Sequence, residues 1–363
     1  MKKKLLCATA LVLSLNAHAE NDAAWMRYSA ISPDGQQIAF SYKGDIYTVG
    51  VNGGRANQIT TNPAHDTRPI WSPNGQQIAF ASDRLGGMDI YIVDKEGGIP
   101  TRITTHSGNE TPLAFKDNGH ILFQANILPA ADDMQFASAQ FPQVYEVSTS
   151  GGRPIMFSSM PMEDISISAD GKTLLYHDKK GYEDNWRKHH TSSITRDVWM
   201  CNLDGERSYK KLSTFNGEDR TPVWANADTY YYLSEQNGSF NVFKANLNEG
   251  NPIQVTKHDK HPVRFLTRAN NGTLCYGYDG GIYTLKEGGQ PQKVNINVVT
   301  DKIDRDIIRQ IKSSGATQIA VSAEGKEVAF ILRGDVYVTS TEYKTTKQIT
   351  NTPQQERNVD FAP

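Results

Sequence analysis

Residues 32–50 read SPDGQQIAFSYKGDIYTVG, and residues 72–94 read SPNGQQIAFASDRLGGMDIYIVD. Each stretch holds a turn, an apolar run and a second apolar run opened by Asp-Ile-Tyr. In Ser-Pro-Asp-Gly, Pro33 presets φ for the first central position of a type I turn. Asp34 tolerates the second, and Gly35 takes the next place, where a positive φ is often needed. The run after it, Gln37-Ile38-Ala39-Phe40, is short, apolar and bounded by turn residues, which reads as a buried strand.

The pattern recurs along the chain. Its turns are KDNG at 116, SADG at 168, RANNG at 268 and SAEG at 322, with a degenerate fifth copy at Asp228. Measured between Gly35, Gly75, Gly119, Gly171, Asp228, Gly272 and Gly325, the steps are 40, 44, 52, 57, 44 and 53 residues. The apolar runs HILF, TLLY, YYYL, TLCY and EVAF follow these turns, and then strand openings such as Asp197-Val198-Trp199 and Asp335-Val336-Tyr337. Most repeats close on a polar, aliphatic, Thr-like triplet: Gln58-Ile59-Thr60, Arg102-Ile103-Thr104, Lys211-Leu212-Ser213, Gln254-Val255-Thr256 and Gln348-Ile349-Thr350. Repeat three offers only Pro154-Ile155-Met156 there, and repeat six Lys293-Val294-Asn295.

Adding the strand before each turn gives four antiparallel strands per unit. Four short strands per repeat of roughly 40 residues is the signature of a β-propeller blade. A blade cannot bury both faces alone, so blades stack around an axis until the ring closes. The repeated aromatics and Asp-Ile-Tyr openings are first explained as blade-to-blade packing and turn chemistry. The fold class is therefore all-β: a six-bladed propeller over 22–298, then the first blade of a second propeller. Between them, residues 299–314 (TDKIDRDIIRQIKSS from 300 on) break the pattern and form a junction. A seventh repeat runs from Ala316 to Thr350, and Val359-Asp360-Phe361-Ala362-Pro363 resembles the first strand and half the turn of an eighth. The expectation is a second propeller, truncated, over 315–363.

The first residues stand apart from the repeats. Lys2, Lys3 and Lys4 precede an apolar stretch from Leu5 to Leu15, too short to span a bilayer, and Ala17-His18-Ala19 suits a signal peptidase. A signal peptide over 1–19 implies a periplasmic protein without a membrane anchor, and leaves 344 of the 363 residues. A formal net charge of −2 gives no electrostatic support to a nucleic-acid partner. Cys201 and Cys275 are the only cysteines after the leader, and nothing around them suggests a metal or redox motif.

The SPDG…IAF…DIY…QIT repeat, six copies followed by a break and a restart, resembles the tricorn family of serine peptidases in its exported bacterial branch. So does the long fourth-repeat segment YEDNWRKHHTSSITRDVW, residues 182–199. The resemblance covers essentially all of the chain after the leader. It implies a six-bladed propeller followed by a seven-bladed one, then a PDZ-like module and a Ser-His-based catalytic region. No position here matches the catalytic motifs, so the expectation is a non-catalytic region and no catalytic residues. The implied role is to gate or channel peptides or unfolded polypeptide to the family's catalytic region. The implied partners are the protein's own C-terminal propeller and peptidase domains and, where it assembles, further copies of itself. TolB and the prolyl oligopeptidases carry similar blades, so a TolB-like periplasmic propeller that binds protein partners is the alternative.

No chemistry of the chain's own stands out. G-x-S-x-G, P-loop, dinucleotide and H-E-x-x-H patterns are absent from the sequence, and no cofactor is expected. His177, Asp178, Glu183, Asp184, His189 and His190 make the densest cluster of metal-ligand types. Yet His189 and His190, if extended, point to opposite faces, and a solvated hydrogen-bonded loop explains them equally. A propeller enzyme with a metal in its channel would need carboxylates converging on the axis, where strand starts are mostly aliphatic or aromatic. The loop from Asp178 to Arg196 exceeds ordinary connections and carries interface-forming residue types. Tyr182, Glu183, Asp184, Trp186, Arg187, His189 and His190 are accordingly the candidate substrate- or domain-contact residues. A second insertion, Ala125 to Pro142, holds Asp132, Asp133, Met134, Phe136 and Phe141.

Overall fold

The computed structural model describes residues 23–127, 141–182, 184, 186, 191–248, 251–299, 312–343 and 345–362. Every regular element among them is a β-strand. Seven four-stranded antiparallel sheets follow one another along the chain, each taking its strands in sequence order. The innermost strands of the first six are Arg27–Ile31, Asp66–Trp71, Thr111–Asp117, Met162–Ile167, Asp219–Trp224 and Arg264–Arg268. Each touches the next, and the sixth touches the first, so the strands form a cycle and the fold is a β-propeller.

The alternation of side chains along a strand explains why one apolar run serves two neighbours. Successive residues point to opposite faces of a sheet. Ile38 joins the buried cluster shared with sheet six, while Ala39 joins the one shared with sheet two. In sheet two, Ile78 faces sheet one and Ala79 faces sheet three. The buried clusters thus lie between sheets, one at each of the six contacts. Cys201 and Cys275 are free thiols buried in two of them, and burial pushes Cys275 up to about 12.

The turns behave as their residues dictate. Gly35 N–H donates to Ser32 O (2.9 Å) with φ at +72°, and the Ser32 hydroxyl accepts from Gln37 N–H (2.9 Å). Ser72, Ser168 and Ser322 repeat this pair of bonds. In the degenerate fifth copy, Asn226 Oδ1 accepts from both Asp228 and Thr229 N–H, so an amide side chain replaces the missing serine. Repeat three needs a correction: its closing triplet is not Pro154-Ile155-Met156. Ile155 and Met156 are exposed, while Phe157 enters the core and Ser158 pairs with Val144, as Thr60 serves Ile46 in sheet one.

Ring closure uses residues after the sixth sheet. Ile296–Asn297 pairs in parallel with Gly54–Arg55, with Gly54 N–H to Asn295 O at 2.8 Å and Ala56 N–H to Asn297 O at 2.9 Å. At the other end of the sheets, Met26 N–H donates to Gly280 O (3.0 Å). Among the described residues no further sheet covers Ile319 and Val321 of the seventh sheet, which are 67% and 56% exposed.

Candidate functional site

The innermost strands enclose a central cavity of ≈ 1490 Å³. Each strand runs towards its Ser-Pro-Asp-Gly-like turn, so one end of the channel is ringed by turns. The opposite, loop end collects the starts of the innermost strands and the hairpins between second and third strands. The long loop of repeat four belongs to this end, since it joins Thr173–Asp178 to Val198–Asn202.

Near the loop end every innermost strand breaks register once. At these bulges Tyr28, Arg68, Asp164, Thr221 and Phe265 take φ between 49° and 56°. Aromatic and β-branched residues rarely adopt that region, and bulges re-aim side chains. All five line the cavity.

They assemble into two halves. The aromatic and cationic half starts with the Arg68 guanidinium 4.5 Å over the Tyr28 ring, which lies 4.9 Å from Phe265. Trp186 meets Phe265 edge-on at 6.1 Å. Arg27 is held between Trp25 (4.0 Å) and Trp186 (3.9 Å), and Arg264 stands 5.0 Å from the Trp186 ring. Burial pushes Arg27 down to about 10, and burial with Arg220 and Arg27 nearby does the same to Arg264. Both remain cations at neutral pH. Stacking a desolvated guanidinium on indole strengthens the contact.

The ionic half lies around sheets four and five. His177, buried in sheet four, donates Nε2–H to Glu163 Oε2 (3.2 Å) and accepts from Thr221 N–H at Nδ1 (3.3 Å). Arg196 bridges Glu163 (3.4 Å) and Glu218 (2.9 Å), and Lys179 adds a second cation to Glu163 at 3.2 Å. Burial alone would raise the Glu163 carboxyl, but His177, Lys179 and Arg196 outweigh it and hold the group below the usual carboxylate range. The Thr221 hydroxyl donates to Asp164 Oδ2 (2.6 Å) rather than to His177. In this cluster no hydroxyl is aimed at a free imidazole nitrogen, the arrangement that activates a serine or threonine nucleophile through histidine. Among the described residues no group of three or more His, Cys, Asp or Glu is placed to hold a metal ion.

The residues expected from sequence divide sharply. Trp186 reaches the channel mouth, and Asp184 supports it by accepting from Trp186 N–H at 2.8 Å. Tyr182 is 81% exposed and points away from the core. Glu183, Arg187, His189 and His190, and residues 128–140 of the second insertion, lie outside the described residues. Sequence reading missed Arg27, Arg68, Glu163, Asp164, Arg220 and Arg264. A signal existed: stacked by repeat, Arg27-Tyr28, Arg68, Glu163-Asp164, Arg220-Thr221 and Arg264-Phe265 share one offset in otherwise apolar strands.

The seventh sheet sits over this same end. Lys43 Nζ is 3.4 Å from Asp335, Lys312 is 3.6 Å from Asp83, and Arg27 donates to Gln355 Oε1 at 3.1 Å. Gly334 packs so tightly on Trp25 that an added Cβ would overlap the indole.

The profile of the tricorn protease N-terminal beta propeller domain matches residues 23–290. Tricorn protease homolog 1 of Streptomyces coelicolor (strain ATCC BAA-471 / A3(2) / M145) is 21% identical over 319 residues, which are 86% of this chain and 28% of that protein. The tricorn protease homolog of Saccharolobus solfataricus (strain ATCC 35092 / DSM 1617 / JCM 11322 / P2) is 24% identical over 316 residues, 84% of this chain and 27% of that one. The crystal structure of the tricorn protease superposes with a TM-score of 0.62 at 18% identity, covering 91% of this chain and 31% of its own. The chain therefore spans less than a third of each of these proteins. With the profile covering most of its length, the chain belongs to the tricorn protease N-terminal beta propeller family.

Proposed function

We propose that the chain is the non-catalytic amino-terminal region of a larger, exported tricorn-like serine peptidase. Its channel gates the passage of peptides between solvent and a catalytic region that lies elsewhere in that protein. The observation that carries this reading is the loop-end mouth, where Trp186 reaches over from repeat four to stack on Arg27 of sheet one. A side chain on a long loop, held at the mouth by ring contacts with Arg27, Phe265 and Arg264 rather than by a strand, suits a gate that opens for extended chain and excludes folded protein. The seventh sheet, sitting over the same end, is the start of a second propeller in this proposal, and its exposed Ile319 and Val321 await the next blade.

The test compares the native polypeptide and its Trp186→Ala variant on peptides of increasing length. The variant is expected to turn over long peptides several-fold faster and dipeptide-sized substrates unchanged. Equal rates at every length would overturn the gating role. The 363-residue chain assayed alone is expected to hydrolyse none of these peptides, and hydrolysis by it would overturn the non-catalytic assignment.

A further inference from the structure

Seven pairs of positions recur where one sheet meets the next at the loop end. One member opens a third strand. The other lies two residues before the bulge of the following innermost strand. In six of the seven pairs, its N–H donates to the carbonyl of the residue preceding the first member: Asp66 to Gly44 (2.7 Å), Glu110 to Met88 (2.7 Å), Asp219 to Arg196 (3.0 Å), Val263 to Phe240 (2.9 Å), Met26 to Gly280 (3.0 Å) and Glu356 to Gly334 (2.9 Å). The residues filling these positions are not random. Asp45 faces Asp66, Asp89 faces Glu110, Asp197 faces Asp219, and Asp335 faces Glu356. Elsewhere the pairs are Gln143 with Met162, Asn241 with Val263, and Gly281 with Met26. Acids occur here in twos or not at all.

Within the ring, each acid pair gives its cations to one member. Arg84 binds Asp66 at 2.7 Å, Arg102 binds Asp89 at 2.9 Å, and Lys211 (2.8 Å) with Lys180 binds Asp197. The other member is met by hydroxyl and amide groups. Asp45 accepts from Thr60 Oγ1 (3.4 Å) and Gln58 Nε2 (3.2 Å), Glu110 accepts from Thr104 Oγ1, and Asp219 lies beside the Ser213 and Ser234 hydroxyls. The two acids of each pair repel one another at a site partly or wholly withdrawn from water, so both do not ionise cheaply.

We propose that Asp45, Glu110 and Asp219 are proton-carrying members of interblade carboxyl pairs, which tie neighbouring sheets firmly in acid and loosen them as the surroundings turn alkaline. Burial first, and then the facing carboxylate, pushes each of the three up to about 7. The surrounding charges are few. Arg333 also faces Asp45, Arg102 faces Glu110, and Glu235 adds a second negative charge at Asp219, with Tyr230 and Tyr232 packed against it. At the fourth pair, burial and Glu356 likewise raise Asp335, opposed by Lys43. A carboxyl raised in the folded state stays protonated while the unfolded chain ionises. Stability from these groups is therefore complete below about pH 4 and is lost as pH rises towards about 7.

The experiment is thermal unfolding of the chain from about pH 5 to about pH 8.5, beside the triple variant Asp45→Asn, Glu110→Gln, Asp219→Asn. The wild type should lose several degrees of Tm across this range, and the variant should lose markedly less. Infrared spectra of the wild type at about pH 6 should show a protonated carboxyl stretch that fades above about pH 8. This second readout stands even if the variant does not fold. A wild-type Tm that is flat, a variant with the wild-type slope, or a missing carboxyl band would each overturn the proposal. So would calcium at pH 8 raising the wild-type Tm alone, since the pairs would then be cation sites.

Discussion

The two ends of the channel are built on opposite plans. At the turn end, Ser32, Ser72 and Ser168 make the same two bonds to residues three and five positions away. At the loop end, Glu163 is bound by His177, Lys179 and Arg196, 14, 16 and 33 residues off, and Trp186 meets Arg27 and Arg264 from distant sheets. Local bonds can be copied with each repeat, whereas long-range ones must be settled for the ring as a whole. Variation between repeats is therefore concentrated where the chain can acquire a role of its own.

Substitutions can break this contrast or sharpen it. The largest effect is expected from Glu163→Gln, which keeps the shape and leaves Arg196, Lys179 and His177 facing an amide. Breaking a buried pair from one side costs about 3 kcal/mol or more, to be read by denaturant unfolding. Because the Glu163 carboxyl is held below its ordinary value of 4.5, its contribution is present above that pH and lost as pH falls further. The variant should therefore also show a shallower acid limb.

At the turn end, Ser32→Ala should cost about 1 kcal/mol, and Ser72→Ala and Ser168→Ala the same within error. Combining two of them should add to within about 0.5 kcal/mol, because the three hydroxyls share no partner. Strongly unequal costs would mean the turns are less independent than their geometry suggests. The smallest change is expected at the Lys116–Glu146 pair, which is 2.8 Å long but lies partly open to solvent at the surface. Glu146→Gln should alter stability by no more than about 0.5 kcal/mol.

What the sequence disclosed follows the same division. The turns, the apolar runs and the Asp-Ile-Tyr openings are short-range features whose residue types carry their own conformational reasons, so blades were legible. The bulges were not: Tyr28, Arg68, Thr221 and Phe265 sit at positive φ although none of them favours it, since ring packing rather than local propensity imposes the conformation. Repeat three misled because Pro154-Ile155-Met156 mimics the closing triplet two residues early, and only burial distinguishes Phe157 from Ile155. Trp186 was legible as an anchor type on a long loop, but its partners Arg27 and Arg264 lie far away in the chain. The closing strand Ile296–Asn297 is two residues long and carries no pattern at all.

That closing pair has a kinetic consequence. Ile296 and Gly54 are 242 residues apart in the chain, yet they lie opposite each other in a hydrogen-bonded strand pair. Joining ends so distant costs about 5 kcal/mol of loop entropy by simple scaling, which only a nearly complete set of stacked sheets can offset. A nascent chain must stay an open arc, with the first and sixth sheets each showing an unsealed apolar face, until residue 297 has emerged. The ring then shuts as a late, cooperative event, and its slowest folding step should be the search for this one short seam.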